Sequence, residues 1–229
     1  MNLSKLKILA FLFLAIGIMS CEKEDDKSVK NGKFSLEITD APIDDENVDG
    51  VFITIAEIQV NGEKIQTFNK TTIDVMAYQN GATKLLADAN LEVKQYDEIT
   101  LVLDYETDQD GNSPGCYLKK DDGMKHPLAS NSSEIDLQKD FEITETGETN
   151  LVVDFDLRKA VKRESKESDV YDLASESELE SGLRVVTKGN TGVVEGNCEN
   201  NFLNSDRIVV YAYKAGTYNR ASEVQAQGQ

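Results

Sequence analysis

Residues 33–188 predict an all-β fold, an antiparallel sandwich. Three observations carry that expectation: short runs rich in Val, Ile, Thr, Tyr and Phe, alternation of apolar with polar residues inside those runs, and Asx-Gly pairs at the breaks. Half-buried strands need one apolar face, and Asn-Gly or Asp-Gly supplies the positive-φ residues of tight hairpins.

The first strand is centred on Phe34, Leu36 and Ile38, which alternate with Ser35, Glu37 and Thr39. Val51, Ile53 and Ile55 repeat the pattern, but Ile58 and Val60 fall on the opposite parity. The strand keeps its apolar face inward only by inserting a residue, so a bulge is expected near Ala56-Glu57. Asn61-Gly62 then turns the chain back through Ile65 and Phe68. Ile73 to Tyr78 reads as a strand ending at Asn80-Gly81. Thr83 to Ala89 is the expected short helix, with Leu85 and Leu86 as its buried contacts. A strand follows from Ile99 to Tyr105, then a long acidic loop from Glu106 to Gly115. Tyr117-Leu118 pairs with Met124 to His126 around Asp121-Asp122-Gly123. Ile135 to Leu137, Phe141 to Ile143, Leu151 to Leu157 and Leu183 to Val186 complete the strands, the Leu151 run being the strongest. Arg158 to Glu180 is charged and Ser-rich. The expected architecture is immunoglobulin-like or prealbumin-like. After residue 188, a linker at Gly189 to Gly192 leads to Val193-Val194 and Ile208 to Tyr213, read as an incomplete second β module or a tail over 189–229.

Residues 1–20 read as a secretory leader. Lys5 and Lys7 precede an apolar run, and Ile18-Met19-Ser20-Cys21 resembles a bacterial lipobox, in which the cysteine is lipidated, with palmitate among its acyl chains, and becomes the mature N-terminus. The run is short for a transmembrane helix. Residues 21–32 form an acidic tether too polar to bury itself, and Lys23-Glu24-Asp25 resembles a lysine-plus-acid signal for surface export. The expected location is the outer membrane of a Gram-negative bacterium, facing the cell surface, with the periplasmic side as the alternative.

Charge narrows the partners. The formal net charge is -18, and loss of Lys5 and Lys7 with the leader takes it to -20. So acidic a body repels phosphate backbones and anionic head groups, which argues against nucleic acid and makes divalent cations or basic surfaces better partners, with solubility of an exported protein the simpler reading. The expected partners are the membrane, through the N-terminal lipid, and a protein or glycan ligand. With Cys21 assigned to lipid, Cys116 and Cys198 are a candidate disulfide in an oxidising compartment, or else two separate thiols.

Thr39-Asp40-Ala41-Pro42, Asn80-Gly81 before Leu85-Leu86, Tyr96 ahead of Ile99-Thr100-Leu101, and Asp154-Phe155-Asp156 together resemble a domain-of-unknown-function family of exported bacterial lipoproteins. In that family a glycine commonly precedes the tyrosine where this chain has Lys94-Gln95. The resemblance implies an all-β exported domain and brings no activity or site residues.

Several residues are candidates for chemistry. Asp40, Asp44 and Asp45 at the end of the first strand, with Asp154 and Asp156 two apart on one strand face, offer oxygen ligands of the kind calcium takes. Turn capping is the simpler account of aspartates at strand ends. Glu106, Asp108, Asp110 and Gly111 have calcium-loop spacing, but Tyr117 stands where a closing glutamate belongs, which favours a flexible acidic hairpin. His126 is the only histidine, and the chain has no Gly-x-Ser-x-Gly elbow. Tyr211 and Tyr213 could form a small aromatic platform, with half-buried sheet residues the simpler reading. No metal ligand, cofactor or catalytic residue is assigned. The expected function is therefore a non-catalytic binding, adhesion or scaffolding role on a lipid anchor. The alternative is a hydrolase using the paired carboxylates Asp154 and Asp156.

Overall fold

The computed structural model describes residues 29–41, 47–79, 81–165, 170–192 and 212–220. The leader, the lipobox with Cys21, most of the tether, Asp44, Asp45, Cys198, Val193-Val194 and Ile208 to Tyr211 lie outside the described residues.

Two sheets share one core. The smaller runs β13-β10-β1-β5, with β1 at Asn31–Ala41, β5 at Lys84–Glu92, β10 at Glu148–Asp156 and β13 at Leu183–Thr187. The larger is built on β2, Val48–Val60, with β6 (Gln95–Leu103), β7 (Tyr117–Lys120), β8 (Lys125–Pro127) and β9 (Glu134–Glu142). It also takes in the short β3 (Glu63–Lys64) and β4 (Thr71–Asp74). Pairing is antiparallel throughout these sheets except between β1 and β10, which run parallel with Leu36 opposite Leu151 and Ile38 opposite Val153. Phe34, Leu36 and Ile38 of β1 meet Ile53, Ile55, Ile58, Ile99 and Leu101 of the facing sheet in a single apolar cluster. That is a sandwich, as the alternation predicts.

The expected bulge is present. The register of β2 against β6 slips between Ile55 and Glu57, and Ile53, Ile55, Ile58 and Val60 are all buried as a result. Asn61 and Gly62 take φ of 48° and 75° at the predicted hairpin, and Asn61 accepts hydrogen bonds from the Asp97 and Glu98 N–H groups. Such caps offset the strain of a positive φ.

β2 has an unusual set of neighbours. Phe52 lies between Asp74 and Tyr117, and Ile55 between Thr71 and Leu103. A strand has two flanks, so β4 occupies one while β6 and β7 share the other, end to end. Their loop, 104–116, is thus an insertion into what is otherwise one continuous edge. At the gap, the Asp104 N–H donates to the Thr54 carbonyl at 2.9 Å and the Thr54 N–H donates to Cys116 Sγ at 3.3 Å.

Four expectations are corrected. Residues 83–89 do not form a helix: Lys84–Glu92 is the edge strand β5, with Ala87 and Ala89 buried and Leu85 52% exposed. Small residues at period two suit the crowded seam against β1, and that periodicity overrides the helix propensity of Leu and Ala. β4 ends at Asp74, whose side chain accepts from the Met76 N–H and turns Val75–Ala77 into a 3-10 turn. Residues 134–142 form one strand, not two. Finally, the charged 158–180 stretch contains two short helices, α1 (Leu157–Ala160) and α2 (Glu176–Gly182). Between them lies a hairpin of β11 (Val161–Arg163) and β12 (Tyr171–Leu173). The strand boundaries also extend past the sequence reading, β1 starting at Asn31.

The strand assignment for 84–92 makes a ranking. Leu85→Ala should change unfolding free energy by no more than about 0.5 kcal/mol, whereas Ala87→Leu should overpack the seam and cost about 1–3 kcal/mol. Denaturant titration of the two variants reads this directly, and a helical segment with Leu85 inward would reverse the order.

Candidate functional site

The end of β1 places the Thr39-Asp40 pair against the turn that leads into β5. Thr39 faces outward, and its hydroxyl is shared between the carbonyls of Tyr78 and Ala82, each 2.9 Å away. The Asp40 N–H donates to the same Tyr78 carbonyl at 3.0 Å. Alternation points the Asp40 side chain inward after Phe34, Leu36 and Ile38, where it is 7% exposed. Its Oδ2 accepts from the Gln79 amide at 3.3 Å, and its Oδ1 has no hydrogen-bond partner. Burial pushes the carboxyl up to about 8, opposed by the Gln79 bond and by the Leu157 N–H at the start of α1, and reinforced by the charges of Asp154 and Asp156.

Those two aspartates lie on the other face. In register they stand beside Thr39 and Ala41, and both are already engaged. Arg184 on β13 reaches Asp154 at 2.7 Å, while Asp156 is 3.6 Å from Arg158 Nε and 3.4 Å from Lys159 Nζ. Asp40 therefore does not converge with Asp154 and Asp156 on one cation. Asp154 ties β10 to β13 and Asp156 ties β10 to α1 at one end of the sandwich.

The acidic loop joins two strands that both pair with β2 and not with each other, so it is not a hairpin; 109–113 are exposed while Asp108 and Gly115 are buried. Asp104, not singled out in the sequence, accepts from the Glu106 and Thr107 N–H groups and from Lys70 Nζ at 2.7 Å, and the Lys70 bond holds its carboxyl below the ordinary range. Asp108 accepts from the N–H groups of Asn112 at 2.7 Å and Asp110 at 3.0 Å. Those bonds, the Asn112 one first, hold its carboxyl low as well. Its oxygens cap turns, and the loop has no calcium-type arrangement of Glu106, Asp108 and Asp110. The signal was local: an aspartate with free N–H groups two to four residues downstream.

Cys116 is a free thiol with no exposure. Burial raises it to about 11. His126 sits opposite Leu118 and meets Tyr171 edge-on, ring centres 5.8 Å apart, so it packs the β12 hairpin against β8. Tyr213 belongs to no strand. It is exposed and contacts Tyr218 at 5.0 Å, while Tyr211 lies outside the described residues.

One acidic cluster was missed. Asp136 of β9 and Glu176 and Glu180 of α2 bring one carboxylate oxygen each within 4.8 Å of the others, the one such group among the described residues. A recess of about 460 Å³ opens beside it between the edge strands β9 and β13, lined by Asp136, Leu137, Gln138, Glu180, Leu183 and Arg184, with Val185 at its margin. The helix that brings the two glutamates was legible as Ser175-x-x-Glu178, since Glu178 reaches back to the Ser175 N–H at 3.1 Å. Glu176 and Glu180 then fall one turn apart on one helix face.

Residues 31–175 match the model of a family described as a domain of unknown function, DUF4382, and the chain belongs to that family. No curated protein and no solved structure matches it. The matched span includes β1 with Thr39 and Asp40, β2, and the whole 104–116 loop, and ends before α2 and β13.

The burial of Cys116 has a chemical consequence, because only an exposed thiolate reacts quickly. A maleimide should label Cys116 in denaturant and leave it unmodified in the native state, read by mass of the Cys116 peptide. Cys116→Ala should cost about 1–3 kcal/mol by leaving the Thr54 N–H without its acceptor.

Proposed function

We propose that this chain is a lipid-anchored envelope protein whose sandwich serves a non-catalytic binding role at the outer membrane surface. Cys21, lipidated after removal of residues 1–20, is the anchor, and the polar stretch up to residue 30 holds the domain off the membrane. The ligand is a protein or glycan, and an acidic body with an acid-rimmed recess between β9 and β13 favours one that presents cationic groups.

One observation carries the choice of binding over hydrolysis. Asp154 and Asp156, the pair a retaining hydrolase would use, lie on an outer sheet face and are matched by Arg184, Arg158 and Lys159. A general acid and a nucleophile must both reach the substrate, and carboxylates already held in ion pairs of this kind are not free to do so.

Two measurements test the reading. Metabolic labelling with a fatty acid should mark the wild type and fail for Cys21→Ala, and protease shaving of intact cells should release the domain; equal labelling of the variant, or full protection, would overturn anchor or orientation respectively. Against a panel of aryl glycosides and esters the protein should show no turnover. Asp154→Asn should instead cost about 0–1 kcal/mol of stability as a surface ion pair. Turnover abolished by Asp154→Asn would establish the hydrolase.

A further inference from the structure

Asp40 is a buried carboxyl without a complete set of partners. Its Oδ1 is unpartnered, and among the described residues no lysine or arginine forms an ion pair with it. The charged groups around it are on β10, where Asp154 and Asp156 repel it; on α1, where Arg158 and Lys159 lie at Asp156; and on β13, where Arg184 is held by Asp154. β5 contributes Lys84, exposed and opposite Ile38. The 3-10 turn is flanked by Asp74, occupied by the Val51 and Met76 N–H groups, and by Tyr78. An ionised carboxylate here would be buried, short of donors and next to like charge, three costs that a neutral carboxyl avoids.

We propose that Asp40 is a proton-held latch: as a neutral carboxyl it lets the end of β1 grip the Tyr78–Ala82 turn, and loss of its proton to solvent loosens that corner. The grip is specific. Thr39 Oγ1 and the Asp40 N–H bond to the Tyr78 and Ala82 carbonyls and the Asp40 carboxyl accepts from Gln79, so a shift of the Asp40 side chain breaks the Gln79 contact directly and pulls on the two backbone-side bonds next to it. The folded domain binds this proton more tightly than the unfolded chain does. Its contribution to stability is therefore full below the ordinary aspartate range and is lost as pH rises through about 8.

Carbon-detected NMR on the labelled chain from residue 21, with Cys21→Ser for solubility, tests this. The Asp40 carboxyl carbon should titrate near 8, and the Asp40 and Ala82 amide signals should move with the same midpoint. In Asp40→Asn those amides should stay flat across the range. A carboxyl that titrates in the ordinary aspartate range, or corner amides that ignore it, would overturn the latch. Should Asp40→Asn fail to fold, the two wild-type curves decide alone. Millimolar calcium that lowers the midpoint by more than a unit, where sodium chloride of equal ionic strength does not, would also overturn it by showing that a cation takes the proton's place.

Discussion

The fold turns on how the backbone of Thr54 is satisfied. β2 is the one strand that touches β3, β4, β6 and β7, and at Thr54 its ladder has lost a strand to the 104–116 insertion. A buried N–H or carbonyl left open there would cost as much as a lost hydrogen bond with full desolvation. Three replacements close the gap: the Asp104 N–H on the Thr54 carbonyl, Cys116 Sγ on the Thr54 N–H, and the Gly115 carbonyl on the Thr54 hydroxyl at 2.6 Å. The insertion must approach β2 very closely to do this. A Cβ at Gly115 would sit 2.2 Å from the Asp104 carbonyl oxygen and 2.7 Å from that of Thr107, so only glycine closes the loop. The aspartate turns at 104 and 108 then follow as the means of folding the loop back on itself with its own N–H groups satisfied.

The strand framework was legible because its signals are local. Parity along β2 announced the bulge before Ile58, and Asn61-Gly62 and Asp122-Gly123 announced their turns, with Gly123 at φ 80°. Residues 83–89 misled because Thr-Lys-Leu-Leu-Ala-Asp-Ala has strong helix formers, and its strand identity depends on fitting small side chains against β1, a tertiary constraint. The same applies to the parallel pairing of β1 with β10, which brings together residues more than a hundred positions apart and has no local signature. At the candidate site, the Asp40 environment was half legible. Its alternation with Ile38 places it inward, but only the structure shows Gln79 as a donor and Asp154 and Asp156 turned the other way.

Acidity in this chain is mostly surface character, yet a distinct subset of acids is structural. Asp74, Asp104 and Asp108 accept backbone N–H bonds, and Asp154, Asp156 and Glu37 pair with Arg184, Arg158, Lys159 and Lys188. These acids are held by partners close at hand, Asp156 by ion pairs alone, since its Oδ1 is buried without a hydrogen bond. Asp136, Glu176 and Glu180 are different, being pressed together by the packing of α2 across the gap between β9 and β13. Their repulsion opposes α2 docking, while the burial of Leu179 and Leu183 favours it. Apolar burial of two leucines outweighs repulsion between solvated carboxylates at ordinary ionic strength. The helix stays docked with its charges crowded at the rim of the recess.

The place where the chain enters the sandwich bears on the proposed anchor. β1 starts at Asn31 and lies in the interior of its sheet, with β10 on one side and β5 on the other. A pull on the chain ahead of residue 31 therefore acts along the strand axis, against both ladders at once. Extraction would shear the β1–β10 and β1–β5 pairings together and drag Phe34, Leu36 and Ile38 out of the core, not peel one ladder bond at a time. Edge strands such as β8, by contrast, can unzip singly. A domain tethered through a central strand transmits force into its core as a unit, the property a surface-anchored binding domain needs when its ligand is attached to something that moves.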